Sequence, residues 1–361
     1  MRSTIFIILS VMLFACKDDM VDPQPNITPY FPPTNNANWA IVNTDSLNWD
    51  NTKLTALYQL LETNKTRAFI VLKNGKIAIE KYWDKEIIGQ SNFNRNSEWY
   101  WASAGKTLTS FVVGKAAEDG YLNLDDKISK YLGNGWTSLT AQQEDRITIK
   151  HQLSMTTGLN DAGLNSDKTS KEYLIFKANA GERWAYHNAP YTLLDTVVES
   201  ATNQTFEYYF NTTLKNKIGM DGKWHWLGDN HVYFSTALSM ARFGSLILNN
   251  GKWQNNRLIN ADYYNAMVNT SQNLNPAYGY LWWLNGKSNY MLPGSQIVFP
   301  GKISSHAPTD MFAALGKNGQ YLCVVPSQNI VMVRLGENPD NALVPKQFLN
   351  DIWELFKDVT P

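Results

Sequence analysis

A serine three residues ahead of a lysine is the most suggestive spacing in the chain: Ser103-Ala104-Gly105-Lys106, followed by the helix-like run Thr107 to Val113. Positions three apart share a helix face, so the Lys106 amine can reach the Ser103 hydroxyl. A serine hydroxyl is a weak nucleophile until a base takes its proton. A lysine can serve as that base when desolvation or nearby positive charge lowers its pKa. Backbone N–H groups at the helix start would favour a developing oxyanion. An N-cap serine would account for Ser103 without any chemistry. Gly105-Lys106-Thr107 also imitates the end of a phosphate-binding loop, but Tyr100 stands where that motif needs its first glycine.

Tyr186-His187-Asn188 lies in a stretch bounded by Gly181 and Pro190, the kind of loop that often carries catalytic groups. A phenol beside a cationic lysine is easier to ionise, so Tyr186 can share a proton with Lys106 and later protonate a leaving group. Asn188 can bind a substrate carbonyl. The same Tyr-x-Asn spacing recurs at Tyr121, Tyr209 and Tyr263, so the spacing alone does not select Tyr186. A third group, Lys317-Asn318-Gly319-Gln320, opens an apolar run. There the Gln320 N–H, paired with that of Ser103, would complete an oxyanion hole, although a plain hairpin turn would look the same.

The elements that must position these residues follow from local pattern. Ala68 to Leu72 and Ile77 to Tyr82 read as two strands around an Asn74-Gly75 turn. Gln320 to Val325 and Ile330 to Leu335 read as a second hairpin around Pro326 to Asn329. Ser239 to Leu248 reads as a helix ending at Asn249-Asn250-Gly251. After Pro345, apolar residues from Phe348 to Phe356 recur at helical spacing. The expected fold is therefore α+β: an antiparallel sheet from both chain ends, flanked by helices, with a mainly helical second lobe inserted. The sheet lobe is expected over about 38–125 and 305–361 and the helical lobe over about 126–304, with a site in the cleft between them.

Taken in order, the three groups resemble the serine β-lactamase and penicillin-binding superfamily. The resemblance is nearest to class C β-lactamases, family VIII carboxylesterases, D-aminopeptidases and 6-aminohexanoate-dimer hydrolases. The segments Gly120 to Ile128 and Ile147 to Leu159 add to it, and it spans residues 60 to 345. It implies a β-lactamase/transpeptidase-like fold and a serine hydrolase that cleaves an ester or amide through an acyl-enzyme. Ser103, Lys106 and Tyr186 take the catalytic places, with Asn188 and Lys317 to Gly319 the binding places. Asn318 stands where the family usually has threonine, which removes a hydroxyl donor for a β-lactam carboxylate. A peptidoglycan-directed D-Ala carboxypeptidase or D-aminopeptidase, and a non-catalytic envelope binding lipoprotein, remain as alternatives.

Composition narrows the partners. The 361 residues are 43% hydrophobic, which suits a folded globule, and 32 basic residues offset 32 acidic ones. No overall field would gather nucleic acid, so the expected partner is a small or peptide-like ester or amide. The five histidines are scattered and no Cys-x-x-Cys or His-Glu-x-x-His occurs, so neither metal nor cofactor is expected. Arg2 and the apolar run Ile5 to Phe14 read as an export signal too short to span a bilayer. Leu13-Phe14-Ala15-Cys16 resembles a lipobox, which makes residues 1–16 a lipoprotein signal ending at a lipidated Cys16. Residues 17–37, rich in proline, are expected to be an extended tether. The expected location is the bacterial cell envelope, with the lipid as the sole membrane contact. Cys323 is expected to be a buried strand residue.

Overall fold

The hairpins expected near the two chain ends meet in one sheet, as the computed structural model shows for the residues it describes, 29–35, 38–163 and 166–361. Strands β1 (Thr66–Lys73) and β2 (Lys76–Tyr82) are joined through Asn74 and Gly75, both at positive φ (52° and 80°). This is the backbone that a two-residue hairpin requires and that Asn-Gly tolerates. Gly75 is needed for a second reason, because a Cβ there would lie 1.9 Å from the Tyr30 carbonyl oxygen.

A small sheet of order β3-β5-β4 comprises β3 (Trp99–Tyr100), β4 (Lys223–Leu227) and β5 (Asn230–Ser235). The main sheet is completed by β6 (Trp283–Leu284), β7 (Phe312–Gly316), β8 (Gln320–Val325) and β9 (Ile330–Gly336). Its order is β2-β1-β9-β8-β7-β6, antiparallel at every pairing. Register places β1 against β9, with Ile70 opposite Val333, so the first and last strands of the main sheet are neighbours within it.

Five helices matter for the site: α1 (Asn51–Thr63), α2 (Lys106–Glu118), α3 (Asn188–Thr202), α4 (Ala237–Leu248) and α5 (Lys346–Phe356). Side chains alternate across a strand, so Tyr321 and Arg334 face one side and Leu322 and Val331 the other. On the first side lies α5, whose Phe348 ring meets the Arg334 guanidinium at 5.2 Å. On the second lies α4, where a Cβ on Gly244 would come within 2.5 Å of Val331 and 2.8 Å of Leu322. Both faces are covered, and every residue of β8 and β9 is buried. Such strands read as unbroken apolar runs rather than alternating ones. Cys323 is among them, fully buried, and burial pushes its thiol up to about 12.

Three boundaries move. β6 and α4 fall inside the stretch 126–304 yet belong to the main sheet and its cover. The helical lobe also carries the small sheet, because β3 pairs with β5 across it. The tether ends sooner than residue 37: Pro32 is buried, Phe31 packs edge-on against Trp253 at 5.0 Å, and Arg242 donates to the Pro33 carbonyl. Apolar side chains among the prolines supply the contact energy that a wholly polar tether would lack. Cys16 and residues 17–28 lie outside the described residues.

Candidate active site

Ser103 sits in a 3-10 turn, Ala102–Gly105, that runs directly into α2. It is not an N-cap: Trp101 holds that position for the turn and Gly105 for α2, and neither makes a side-chain cap hydrogen bond. The turn is entered through Ala102 at φ 47°, a left-handed conformation that costs a residue with a Cβ and is held only by its surroundings. Those surroundings are specific. The Trp101 N–H donates to the Tyr233 carbonyl and its indole to Ser235 Oγ, both at 2.8 Å, which fixes one flank to β5. On the other flank β7 approaches so closely that a Cβ on Gly316 would stand 2.5 Å from the Trp101 carbonyl oxygen and 3.0 Å from the Ala104 nitrogen.

Lys106 Nζ donates to Ser103 Oγ at 3.2 Å, as three-residue spacing requires. The lysine is 4% exposed and has no carboxylate within ion-pair distance among the described residues. Its amine lies over the rings of Tyr191 at 4.1 Å and Tyr186 at 5.3 Å. Ring faces favour a cation, and the more distant Asp167 also favours the protonated form. Burial outweighs the pull of that carboxylate and holds the amine at about 7.

Tyr186 reaches the same place from the loop before α3, which is anchored by the Ala185 N–H to the Met155 carbonyl at 2.9 Å. Its ring stacks on Trp283 at 5.8 Å and meets Tyr278 edge-on. Its phenol interacts with the Ser103 hydroxyl, which eases ionisation slightly. The expectation that a cationic lysine would ease it much further fails. Burial dominates and pushes the phenol well above its ordinary range, and Lys106, held at about 7, carries only part of a positive charge near neutrality. Tyr186 is therefore a protonated hydroxyl in the resting site.

Asn188 begins α3 and lines the same cavity, its Nδ2 donating to Asp167 at 2.8 Å while its buried Oδ1 has no partner among the described residues. Lys317 lines it from the β7–β8 turn. Asn318, Gly319 and Gln320 do not. The Asn318 amide is spent on the Tyr100 hydroxyl at 2.8 Å, Gly319 is pressed against Arg334 and Tyr321, and Gln320 is fully buried with its amide on Gly336. The reason is register. Gly316 pairs with Gln320, so the three residues between them form the turn, and only its leading edge faces the serine. Sequence reading missed Gly316, which abuts the serine turn, Tyr191, whose ring lies under the Lys106 amine, and Asp167, which holds Asn188. The glycine could have been found only by asking which of two glycines must touch the turn. Substituting Gly316 by valine should displace the turn and cut the rate of Ser103 labelling by a fluorophosphonate at least tenfold. An unchanged rate in the folded variant would show that the strand has room to retreat.

Ser103, Lys106, Tyr186, Asn188 and Lys317 all border a cavity of about 510 Å³. Its walls come from the sheet lobe and the helical lobe alike, including Leu227, Asn230, His231 and Val232 of the small sheet and Leu343 ahead of α5. Residues 62–342 match the family model described as Beta-lactamase. The chain belongs to the β-lactamase family. An uncharacterized protein of Alkalihalophilus pseudofirmus is 24% identical over 307 residues, covering 76% of this chain and 84% of that one. Among solved structures, a putative 6-aminohexanoate-dimer hydrolase from Bacillus anthracis superposes with a TM-score of 0.68 at 18% identity. It covers 91% of this chain and 88% of its own. A putative β-lactamase from Bacteroides dorei gives 0.64 at 17% identity, over 86% of this chain and 99% of that one. These likenesses establish the β-lactamase/transpeptidase-like α+β fold for this family member.

Proposed function

We propose that the protein is a serine hydrolase that cleaves an ester or amide through an acyl-enzyme on Ser103. The observation that carries this reading is the 3.2 Å contact between Ser103 Oγ and an amine that burial holds at about 7. A neutral amine in hydrogen-bond reach of an alcohol is a general base placed where its proton must go. Ser103 Oγ attacks the carbonyl carbon and its proton passes to Lys106 Nζ. The oxyanion is held by the N–H of Ser103 and that of Lys317, the residue after Gly316, in place of Gln320. Tyr186, still carrying its proton, gives it to the departing alkoxide or amine and is recharged from the Lys106 ammonium. Water then attacks the acyl ester with Lys106 again as base, and Ser103 regains its proton.

Cavity walls that mix apolar and polar side chains suit an acyl chain next to a polar linkage. The export-like leader and Cys16 support an envelope-anchored location, reached by lipid alone. The test is covalent. A fluorophosphonate probe should add once per chain, and the adduct should map to the peptide holding Ser103. Absence of any adduct, with the protein folded, would favour a binding lipoprotein that keeps the fold without turnover.

A further inference from the structure

Leu227 and Leu343 border the same cavity as the buried Lys106, yet each is more than half exposed, so the two leucines mark its mouth. Ile297 and Val298 are as open, and they share the loop 291–298, closed by the pairing of Tyr290 with Phe299, with the cavity-lining Pro293 and Gly294. Trp226, next to Leu227, is also more than half exposed. A single exposed apolar side chain is ordinary, but several gathered about one opening mark a place where apolar matter is received. Three loops carry them, and each is tied down. The turn between β4 and β5 is backed by His231, whose ring lies parallel to that of Trp226 at 4.4 Å and whose Nδ1 stands 2.7 Å from the buried Asp195 carboxylate of α3. Loop 291–298 is pinned by Gln296, whose Nε2 donates to the Trp184 carbonyl at 3.1 Å. The segment that carries Leu343 is held where the Tyr321 hydroxyl donates to the Pro345 carbonyl. A rim fixed in this way pays little ordering cost when it is covered. The charges beside it cancel: Asp229 faces Lys168 at 3.9 Å, Asp161 is paired with Arg183 at 2.7 Å, and Asp167 and Lys317 bring one charge of each sign.

From this arrangement we propose that the substrate carries an unbranched aliphatic chain, which leaves the cavity past Leu227 and Leu343 and lies on the rim. The rim is interrupted by the opening itself. Matter that covers it and also reaches Ser103 must therefore be narrow and apolar along its length, which a chain is and a folded partner is not. Val232 and Val344, which line the cavity too, give the chain an aliphatic path from the polar reacting groups to the mouth. The proposal deepens the hydrolase reading and rests on it for turnover, whereas chain binding rests on the rim alone.

Turnover and binding are measured apart. For turnover, kcat/KM is compared between p-nitrophenyl butyrate and octanoate, whose carbonyls are equally reactive, and between butyl and octyl acetate, all below the concentration at which the ester aggregates. For binding, 1-butanol is compared with 1-octanol by calorimetric titration. A methylene on a half-covered rim is worth about twofold, against about fourfold when fully buried. The eight-carbon member should therefore be favoured at least tenfold in binding and in one of the two ester series. The triple variant Leu227→Ser, Ile297→Ser, Leu343→Ser should cut that preference at least threefold, and a ratio cancels any change common to both substrates. Should the triple variant fail to fold, Leu343→Ser alone should cut it about twofold. Ratios near one in the native protein would overturn the proposal, as would a preference that the variants keep. A preference that appears only once the octanoate ester forms micelles would make the rim a surface-docking face and overturn the single-chain reading. Octanol binding that depends on the rim, with no turnover of any ester, would strike the hydrolase reading and leave this one standing.

Discussion

Ser103→Ala should lower kcat/KM for p-nitrophenyl butyrate by a factor of roughly 10⁴ to 10⁶, the scale on which removal of a covalent nucleophile acts. Its thermal midpoint should move by no more than about 2 °C, because a single half-buried hydroxyl that faces the cavity and caps no helix contributes little to stability. The separation of the two effects follows from position. The hydroxyl contacts Lys106 and Tyr186 but caps no helix, and the turn is held by Trp101 and Gly316 rather than by the serine. Removing Oγ leaves the Lys106 amine without its 3.2 Å neighbour, but above about pH 8 that amine is mostly neutral, so melts compared there strand little buried charge. Activity within tenfold of the native protein would end the assignment of Ser103 as nucleophile. A large fall in melting temperature would instead mean that the left-handed entry at Ala102 depends on the hydroxyl.

Much of the site could be read from residues because it rests on short-range geometry. The Ser103 to Lys106 contact needs only one helical turn, and the strand and helix patterns were strong enough to assign β1, β2, β8, β9, α4 and α5. The meeting of Tyr186 with that pair depended on order along the chain, since three other Tyr-x-Asn spacings were open. Register was the part that local pattern could not deliver. Lys317-Asn318-Gly319 has the composition of a binding strand, but the pairing of Gly316 with Gln320 makes it a turn. That shift moves the contact with the serine to Gly316. Whether a glycine abuts another backbone is a tertiary fact, invisible until the two segments are side by side. Asp167 was hidden for a similar reason: an acidic residue in a polar loop looks solvated until its two amide partners are seen to arrive from α3 and β5. In the segment 29–35 the prolines suggest a tether, but Tyr30 and Phe31 pack against the domain.

Lys106→Met separates the chemical role of the amine from its cost to the fold, and the two should move in opposite directions. Loss of a positioned general base should lower kcat/KM by roughly 10² to 10⁴. In the native protein kcat/KM should rise with pH through about 7, as the ammonium gives up its proton and becomes the base. The methionine variant should lack that limb. Stability works through the same shift. The folded-state pKa of Lys106 lies below the ordinary lysine value of 10.5, so between about 7 and 10.5 the unfolded chain binds a proton that the native chain does not. Native stability from this group therefore increases as pH rises across that window, and it is poorest at and below neutrality. Methionine has no such titration and fills much of the same volume with apolar atoms. The variant should melt several degrees above the native protein at pH 7, with the gap closing as pH approaches 10. Thermal scans at pH 7, 8.5 and 10, with esterase assays on the same samples, measure both. A variant less stable than the native protein at pH 7 would mean that contacts of the ammonium with Tyr186 and Tyr191 outweigh its burial. The neutral-base mechanism would then lose its physical ground.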